Sequence, residues 1–411
     1  MKKLAWVLLL AFAFTVPWEY SLDLGEPLGN IARFVGLLLL LAAVPAAVQS
    51  RRLRTPGAVQ WLVLAFYLWT CCTCLWTIDQ PATFARMRGN LQEMMVVWLV
   101  WELAETPEHM RALLQAFVAG SWVLAILTVA NFFSFDAADQ VRFVAAGQDP
   151  NDVARFLDLG LPLAALLLDA EESLLGRLLA MGYLPLASAA VILTASRGGF
   201  LAALVGLAGC ALLLMRNHAR GAVAAVFALP ALAAAAWLIV PYETLARLAT
   251  IPGQVRGGDL NQRWNIWAAG WHAFAHAPFF GSGAGSFVAA AGLNPIDTAH
   301  NTALALVVEG GVVSLLLASV ILGAALMALA STHGSIRTGM GAALCVWMVT
   351  SLVSTVHESR STWLLLALVV LAGRLARENP AGLDRLFSIG LRRGARAATR
   401  AAAAGPGESV A

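Results

Sequence analysis

Apolar residues along this chain gather in long blocks separated by short polar punctuation, with neither the alternation of half-buried strands nor the one-sided stripe of a surface helix. A helix needs about 20 mostly apolar residues to cross a bilayer. Windows of about 19 residues predict about twelve spans: residues 4–18, 30–49, 58–76, 89–104, 112–134, 153–169, 178–195, 199–215, 222–242, 302–330, 338–356 and 361–376. Met1-Lys2-Lys3 followed by Leu4–Phe14 resembles the start of a signal peptide. It lacks a small-residue cleavage pattern, so it reads as a retained signal anchor.

Composition points the same way. Hydrophobic residues make up 60% of the 411, charged residues only 12%, and the mean hydropathy is +0.74. A soluble domain carries about 25% charge. Ordinary soluble enzymes, disordered chains, coiled coils and secreted disulfide scaffolds are thereby excluded, and an all-α polytopic membrane protein is expected. The net charge of +3 is too small to suggest a nucleic-acid partner. The five cysteines sit inside apolar runs and read as small packing residues.

The distribution of basic residues sets the orientation. With the N-terminus inside, inner loops hold Lys2, Lys3, Arg51, Arg52, Arg54, Arg111, Arg177, Arg216, Arg220 and Arg337. Arg374, Arg377, Arg385, Arg392, Arg393, Arg396 and Arg400 follow near or in the tail. The positive-inside rule then places both termini in the cytoplasm. Residues 1–376 form one transmembrane unit, including an outer segment at 243–300, and residues 377–411 a basic, partly disordered tail.

Arginines also occur in or beside the outward loops: Arg86, Arg88, Arg142, Arg155, Arg197, Arg247, Arg256, Arg263 and Arg360. Any one of them can pair with a nearby carboxylate such as Asp79, Asp149, Asp152, Glu243, Asp259 or Glu358. A converging set would instead suit a lipid-linked pyrophosphate, because the guanidinium fork matches phosphate oxygens.

The connection from Tyr242 to His300 is the one long outer segment, and long loops are commonly functional. Within it, Trp264, Trp267, Trp271 and Phe274 fall at helical spacing as one aromatic stripe, facing either lipid headgroups or the bundle. Gly281, Gly283 and Gly285 form GxGxG with no preceding strand and no following Lys-Ser/Thr, so a tight turn is expected rather than a nucleotide loop. His300 and Asn301 immediately precede a long apolar helix. They read either as a helix cap or, for His300, as a base near neutral pH. Glu309, two turns further in, is an intramembrane carboxylate that needs a partner. His272 and His276 have metal spacing but no completing carboxylate, and there is no DxD and no GxSxG.

Several short pieces, in order, give the chain a resemblance to the O-antigen ligase and polymerase superfamily over about residues 75–372. They are Leu75-Trp76-Thr77-Ile78-Asp79, Gln148-Asp149-Pro150-Asn151-Asp152 and Thr194-Ala195-Ser196-Arg197-Gly198-Gly199. Arg263-Trp264, Pro278-Phe279-Phe280-Gly281-Ser282-Gly283, His300-Asn301 and Glu309-Gly310-Gly311 follow. The resemblance implies a GT-C-type, metal-independent and inverting glycosyltransferase that needs no cofactor and works at the periplasmic face of a bacterial inner membrane. Its donor would be an undecaprenyl-diphosphate-linked glycan, and membrane lipid would surround it. A single dominant outer segment between the ninth and tenth helices favours a ligase, with a lipid A–core sugar as acceptor. An O-antigen or exopolysaccharide polymerase is the alternative within the family, and a multi-span lipid-glycan transporter the alternative of another class. On this reading His300 is the general base, and Arg197 and Arg263, then Arg142 and Arg360, hold the diphosphate. Asn301, Glu309, Trp264, Asp149 and Asn151 support them. Arg247 and Arg256 are expected to be ordinary surface charges.

Overall fold

The computed structural model describes residues 1–26, 28–50, 53–134, 140–171, 173–217, 240–258, 260, 262–295 and 297–387. Among these residues the regular secondary structure is helical, apart from one isolated bridge between Asp23 and Asn30. In chain order the helices are α1 (Lys2–Thr15), α2 (Ile31–Ser50), α3 (Ala58–Cys72), α4 (Gln80–Leu103), α5 (Pro107–Phe132), α6 (Pro150–Ala170), α7 (Leu174–Leu193) and α8 (Arg197–Asn217). The segment after residue 240 carries α9 (Tyr242–Ala249), α10 (Ile251–Gly257), α11 (Arg263–His276) and α12 (Phe287–Ala291). It is followed by α13 (Thr302–Ala330), α14 (Gly334–Val353), α15 (Arg360–Glu378) and α16 (Pro380–Phe387). The span expected at 222–242 lies almost wholly outside the described residues.

Among the described residues, eight helical stretches are long and apolar enough to cross a membrane: those built on α1, α2, α3, α5, α7, α8, α13 and α14. The chain is a polytopic membrane protein. Helices α4, α6 and α15 are of spanning length at 24, 21 and 19 residues but carry more charge. Their position explains how they tolerate it. Helix α6 packs against α5, α7, α8 and α14, and α15 against α4 and α13, so both lie inside the bundle. Every residue of α15 from Ser361 to Ala376 is buried. Burial against protein lets polar groups find partners that lipid cannot supply. Arg374 shows this: its guanidinium donates to the Trp101 and Ala104 carbonyls and stacks 4.7 Å from the Trp101 ring.

Helix starts follow from local chemistry. Asp79, Thr106, Asp149, Ser173 and Asn301 each accept a hydrogen bond from a backbone N–H of the first turn. Proline at the first turn of α4, α5 and α6 is preorganised there. The Asp79 cap starts α4 nine residues before the span expected at 89–104, and it carries Arg86 into the helix. Of the segment 377–411, residues 380–387 form α16, with Leu383, Leu386 and Phe387 in the hydrophobic core. Residues 377–379 complete and follow α15, and residues 388–411 lie outside the described residues.

Helix α13 is broken at Gly311, whose φ of 69° and ψ of −170° interrupt the ladder. The Gly281–Gly285 loop fits into that break. Ser282 and Gly283 donate backbone N–H groups to the Val308 and Glu309 carbonyls at 2.9 Å, and Val312 N–H donates back to Pro278 O at 2.9 Å. All three loop glycines have positive φ, as the expected tight turn requires. A Cβ on Gly281 would lie 2.5 Å from the Glu309 backbone. On its other side the loop meets the turn before α4: Ile78 N–H donates to Ser282 O at 3.0 Å, and Trp76 Nε1 to Phe280 O at 3.2 Å. Three short sequence pieces, near residues 75–79, 278–285 and 309–311, thus form one knot.

Candidate functional site

At the other end of α7 from its Ser173 cap, the chain reverses in three residues. Thr194 closes α7, Ala195 takes φ 48°, and Ser196 accepts the Gly199 N–H at 3.2 Å to start α8. Three arginines converge on this turn. Arg142 Nε donates to Thr194 O at 3.1 Å, Arg247 Nε donates to Ala195 O at 3.3 Å, and Arg197 Nε donates to Arg247 O at 3.3 Å. Asn151 at the start of α6 ties in, accepting from Ser196 Oγ at 2.8 Å and from Arg142 Nη2 at 3.5 Å. Thr244 Oγ1 donates to Val141 O at 2.9 Å and pins α9 to the same loop.

Arg263, at the start of α11, acts electrostatically on Arg142, and His300, just before α13, lies within electrostatic reach of Arg263 and Asp149. Arg142 and Arg263 are both half-buried, and burial pulls each guanidinium below its ordinary pKa. Arg247, then Arg263 and Arg197, add to this at Arg142, and Arg197 does so at Arg263. Asp149 opposes the effect in both cases. Cations are gathered here closely enough to repel one another, the arrangement an anionic ligand would relieve.

Burial also pulls the His300 imidazole below its ordinary value, and Arg263 reinforces it, while Asp149, Asp297 and Asp152 partly offset the effect. A neutral imidazole at neutral pH can accept a proton. The ring Nδ1 lies 3.2 Å from Thr298 Oγ1. Asn301 next to it caps α13, accepting from Leu304 N–H at 2.9 Å while its amide donates to Leu352 O at 3.4 Å.

Backbone strain marks the same place. Among the described residues, the non-glycines with positive φ are Ala195, Leu260, Gln262 and His300. Ala195 precedes Arg197 by two, Gln262 adjoins Arg263, and the fourth is the candidate base itself. Such strain persists only where surrounding structure enforces it, and it concentrates at functional sites. The N-termini of α6 and α8 are joined here through the Asn151–Ser196 hydrogen bond, and each presents the positive end of its helix dipole.

Two expected residues lie elsewhere. Arg360 is drawn into a buried ion pair with Glu19 and donates to Gln92 Oε1 at 2.8 Å. Glu309 belongs to the knot around Gly311. It accepts the Gly285 N–H at 2.9 Å and lies 3.7 Å from Arg86 and 3.9 Å from His357 Nε2, while Arg86 also pairs with Glu358. Arg86 is thus the partner an intramembrane Glu309 required. Trp264 is exposed, as is Trp271. Helix α11 packs on α13 through Ile266, Gly270 and Ala273 instead, and of the stripe Trp267 and Phe274 reach that cluster, Trp267 donating to Ala299 O at 3.1 Å.

The residue the sequence reading misplaced is Arg247, expected to be ordinary surface charge but held in the cluster. A signal was present. Thr244 and Leu248 form the buried i, i+4 face of α9, and Arg247 flanks that face.

Residues 182–319 match a family model described as O-antigen ligase. The match runs from α7 into α13 and includes Arg197, Arg247, Arg263, His300 and Glu309. A search of curated proteins gave no match.

Proposed function

From the match of residues 182–319 to the O-antigen ligase family model, together with the arginine cluster and His300, we propose that this protein is an O-antigen ligase of the O-antigen ligase and polymerase superfamily. It takes a glycan from undecaprenyl diphosphate and passes it to a lipid A–core sugar. The site faces the periplasm from a bacterial inner membrane, both termini are cytoplasmic, and the chain works as a GT-C-type enzyme. The observation that carries this reading is the gathering of Arg142 and Arg197 at the α7–α8 turn, with Arg263 close enough to act electrostatically on both Arg142 and the half-buried His300.

The chemistry follows from charge and position. His300 accepts the proton of the acceptor hydroxyl as its oxygen attacks the anomeric carbon. The bond from that carbon to the diphosphate oxygen breaks with inversion, and its electron pair leaves with the phosphate. Guanidinium groups stabilise the charge that develops, the task a divalent metal performs in other transferases. Asp149, Asn151 and Asn301 position the arginine cluster and the helix starts, and exposed Trp264 offers a ring at the lipid–water boundary. Arg360, held by Glu19 and Gln92, supports the scaffold around α15.

Deleting the gene and separating lipopolysaccharide by electrophoresis tests the reading. Core lipid without any O-antigen is the expected result. A single repeat on the core would assign the polymerase reaction instead, and an unchanged pattern would refute both.

A further inference from the structure

Arg247 is tied into the candidate site more tightly than its position on a short helix of the outer segment suggests. Its Nε is held by Ala195 O at 3.3 Å, its own carbonyl accepts from Arg197 Nε at 3.3 Å, and the neighbouring turn residue Thr194 holds Arg142 at 3.1 Å. Consecutive carbonyls at the end of α7 therefore orient two guanidinium groups side by side. Arg197 follows at the start of α8, and Arg263 is close enough to act electrostatically on Arg142. Four guanidinium groups are gathered here, and Asp149 is the carboxylate that opposes them at Arg142 and Arg263.

That charge exceeds what the intact donor needs. A diphosphate bearing lipid at one end and sugar at the other carries one negative charge on each phosphate. When the anomeric carbon–oxygen bond breaks, the electron pair stays on the terminal phosphate. That phosphate then has a second ionisation near pH 6, so the leaving group gains a third charge near neutral pH. The acceptor proton goes to His300, and no other reactant is required.

We propose that Arg247 is the fourth member of an arginine cradle matched to the departing polyprenyl diphosphate rather than to the glycan-bearing donor, so that it acts on turnover more than on donor binding. This rests on the ligase-type reading of the site. An interaction made only as charge develops raises kcat, whereas one made equally in the ground state lowers KM. The cradle consequently holds the sugar-free diphosphate more tightly than the donor.

The test uses the full-length protein in lipid nanodiscs, with glycan transfer as one readout and binding of sugar-free undecaprenyl diphosphate or undecaprenyl monophosphate as the other. Arg247→Ala is expected to lower kcat about 10–100-fold with donor KM changed less than about threefold, the range of one charge-assisted contact. Its affinity for the diphosphate should fall about tenfold or more and that for the monophosphate much less. Thr244→Val, which loosens α9 without removing a charge, should retain the preference for diphosphate, and exposed Arg256→Ala should behave as wild type. A raised donor KM with intact kcat, an unchanged diphosphate affinity, or a Thr244→Val variant that copies Arg247→Ala in every readout would overturn the proposal. Failure of the underlying reading looks different: wild-type protein would transfer no glycan, or Arg197→Ala would retain full activity.

Discussion

Arg263 ties the two halves of the proposed chemistry together, because its charge is within electrostatic reach of both the arginine cluster and His300. Two substitutions separate its roles. Arg263→Lys keeps a cation but loses the planar fork that grips two oxygens at once. A charge-assisted contact contributes about 1.5–3 kcal/mol, so transfer should fall by one to two orders of magnitude. Arg263→Gln removes the charge as well. In the native protein, burial first and Arg263 second hold the His300 pKa below its ordinary value. Without that cation the imidazolium is favoured, its pKa rises, and a higher pH is needed to free the base. The acid limb of the kcat/KM–pH profile should therefore move to higher pH in Arg263→Gln and stay near the wild-type position in Arg263→Lys. The assay is transfer of radiolabelled glycan to purified lipid A–core across about pH 5–8, the interval in which histidine titrates. An acid limb that stays put or moves lower in Arg263→Gln, or a fully active Arg263→Lys, would refute the placement of this arginine beside base and leaving group.

His300→Ala should abolish transfer while membrane insertion and yield, read by fluorescence-detected size exclusion, remain intact; near-normal activity would remove the general base. EDTA should leave the rate unchanged because arginines supply the positive charge, and a loss restored by Mg²⁺ or Mn²⁺ would expose a metal requirement. Glu309 and Arg86 are both largely buried, and breaking such a pair from one side costs about 3–5 kcal/mol. Arg86→Met or Glu309→Leu should therefore melt well below wild type in detergent, and the double variant should recover part of the loss; additive losses would show that the two charges do not stabilise each other.

The membrane character of this chain is written locally. Apolar runs of spanning length mark the helices around α1, α2, α3, α5, α7, α8, α13 and α14, because a bilayer selects for continuous hydrophobicity that any window detects. Asn301 before α13 and the Gly281–Gly285 turn were also legible, since caps and positive-φ glycines obey rules spanning only a few residues. The boundary of α4 was not. Arg86 and Arg88 lower the hydropathy of its first two turns, and only the Asp79 cap and the burial of Arg86 against Glu309 and Glu358 allow the helix to begin there.

The candidate site divides in the same way. Residue type and placement before an apolar run nominated His300, and the family resemblance singled out Arg197 and Arg263, then Arg142 and Arg360, from nine outward arginines. Which of them meet is a long-range matter that no local pattern encodes. The Thr194–Arg197 turn draws Arg142 and Arg247 from about 50 residues away on either side. Arg360, equally cationic and equally close to a helix start, is claimed instead by Glu19, 341 residues distant in the chain. Partner choice of this kind depends on which backbone carbonyls and carboxylates the packed helices present to each guanidinium. Burial makes an unpaired charge too costly to leave alone, so the tertiary fold rather than the sequence pattern decides which arginines fix the scaffold and which gather where an anion can bind.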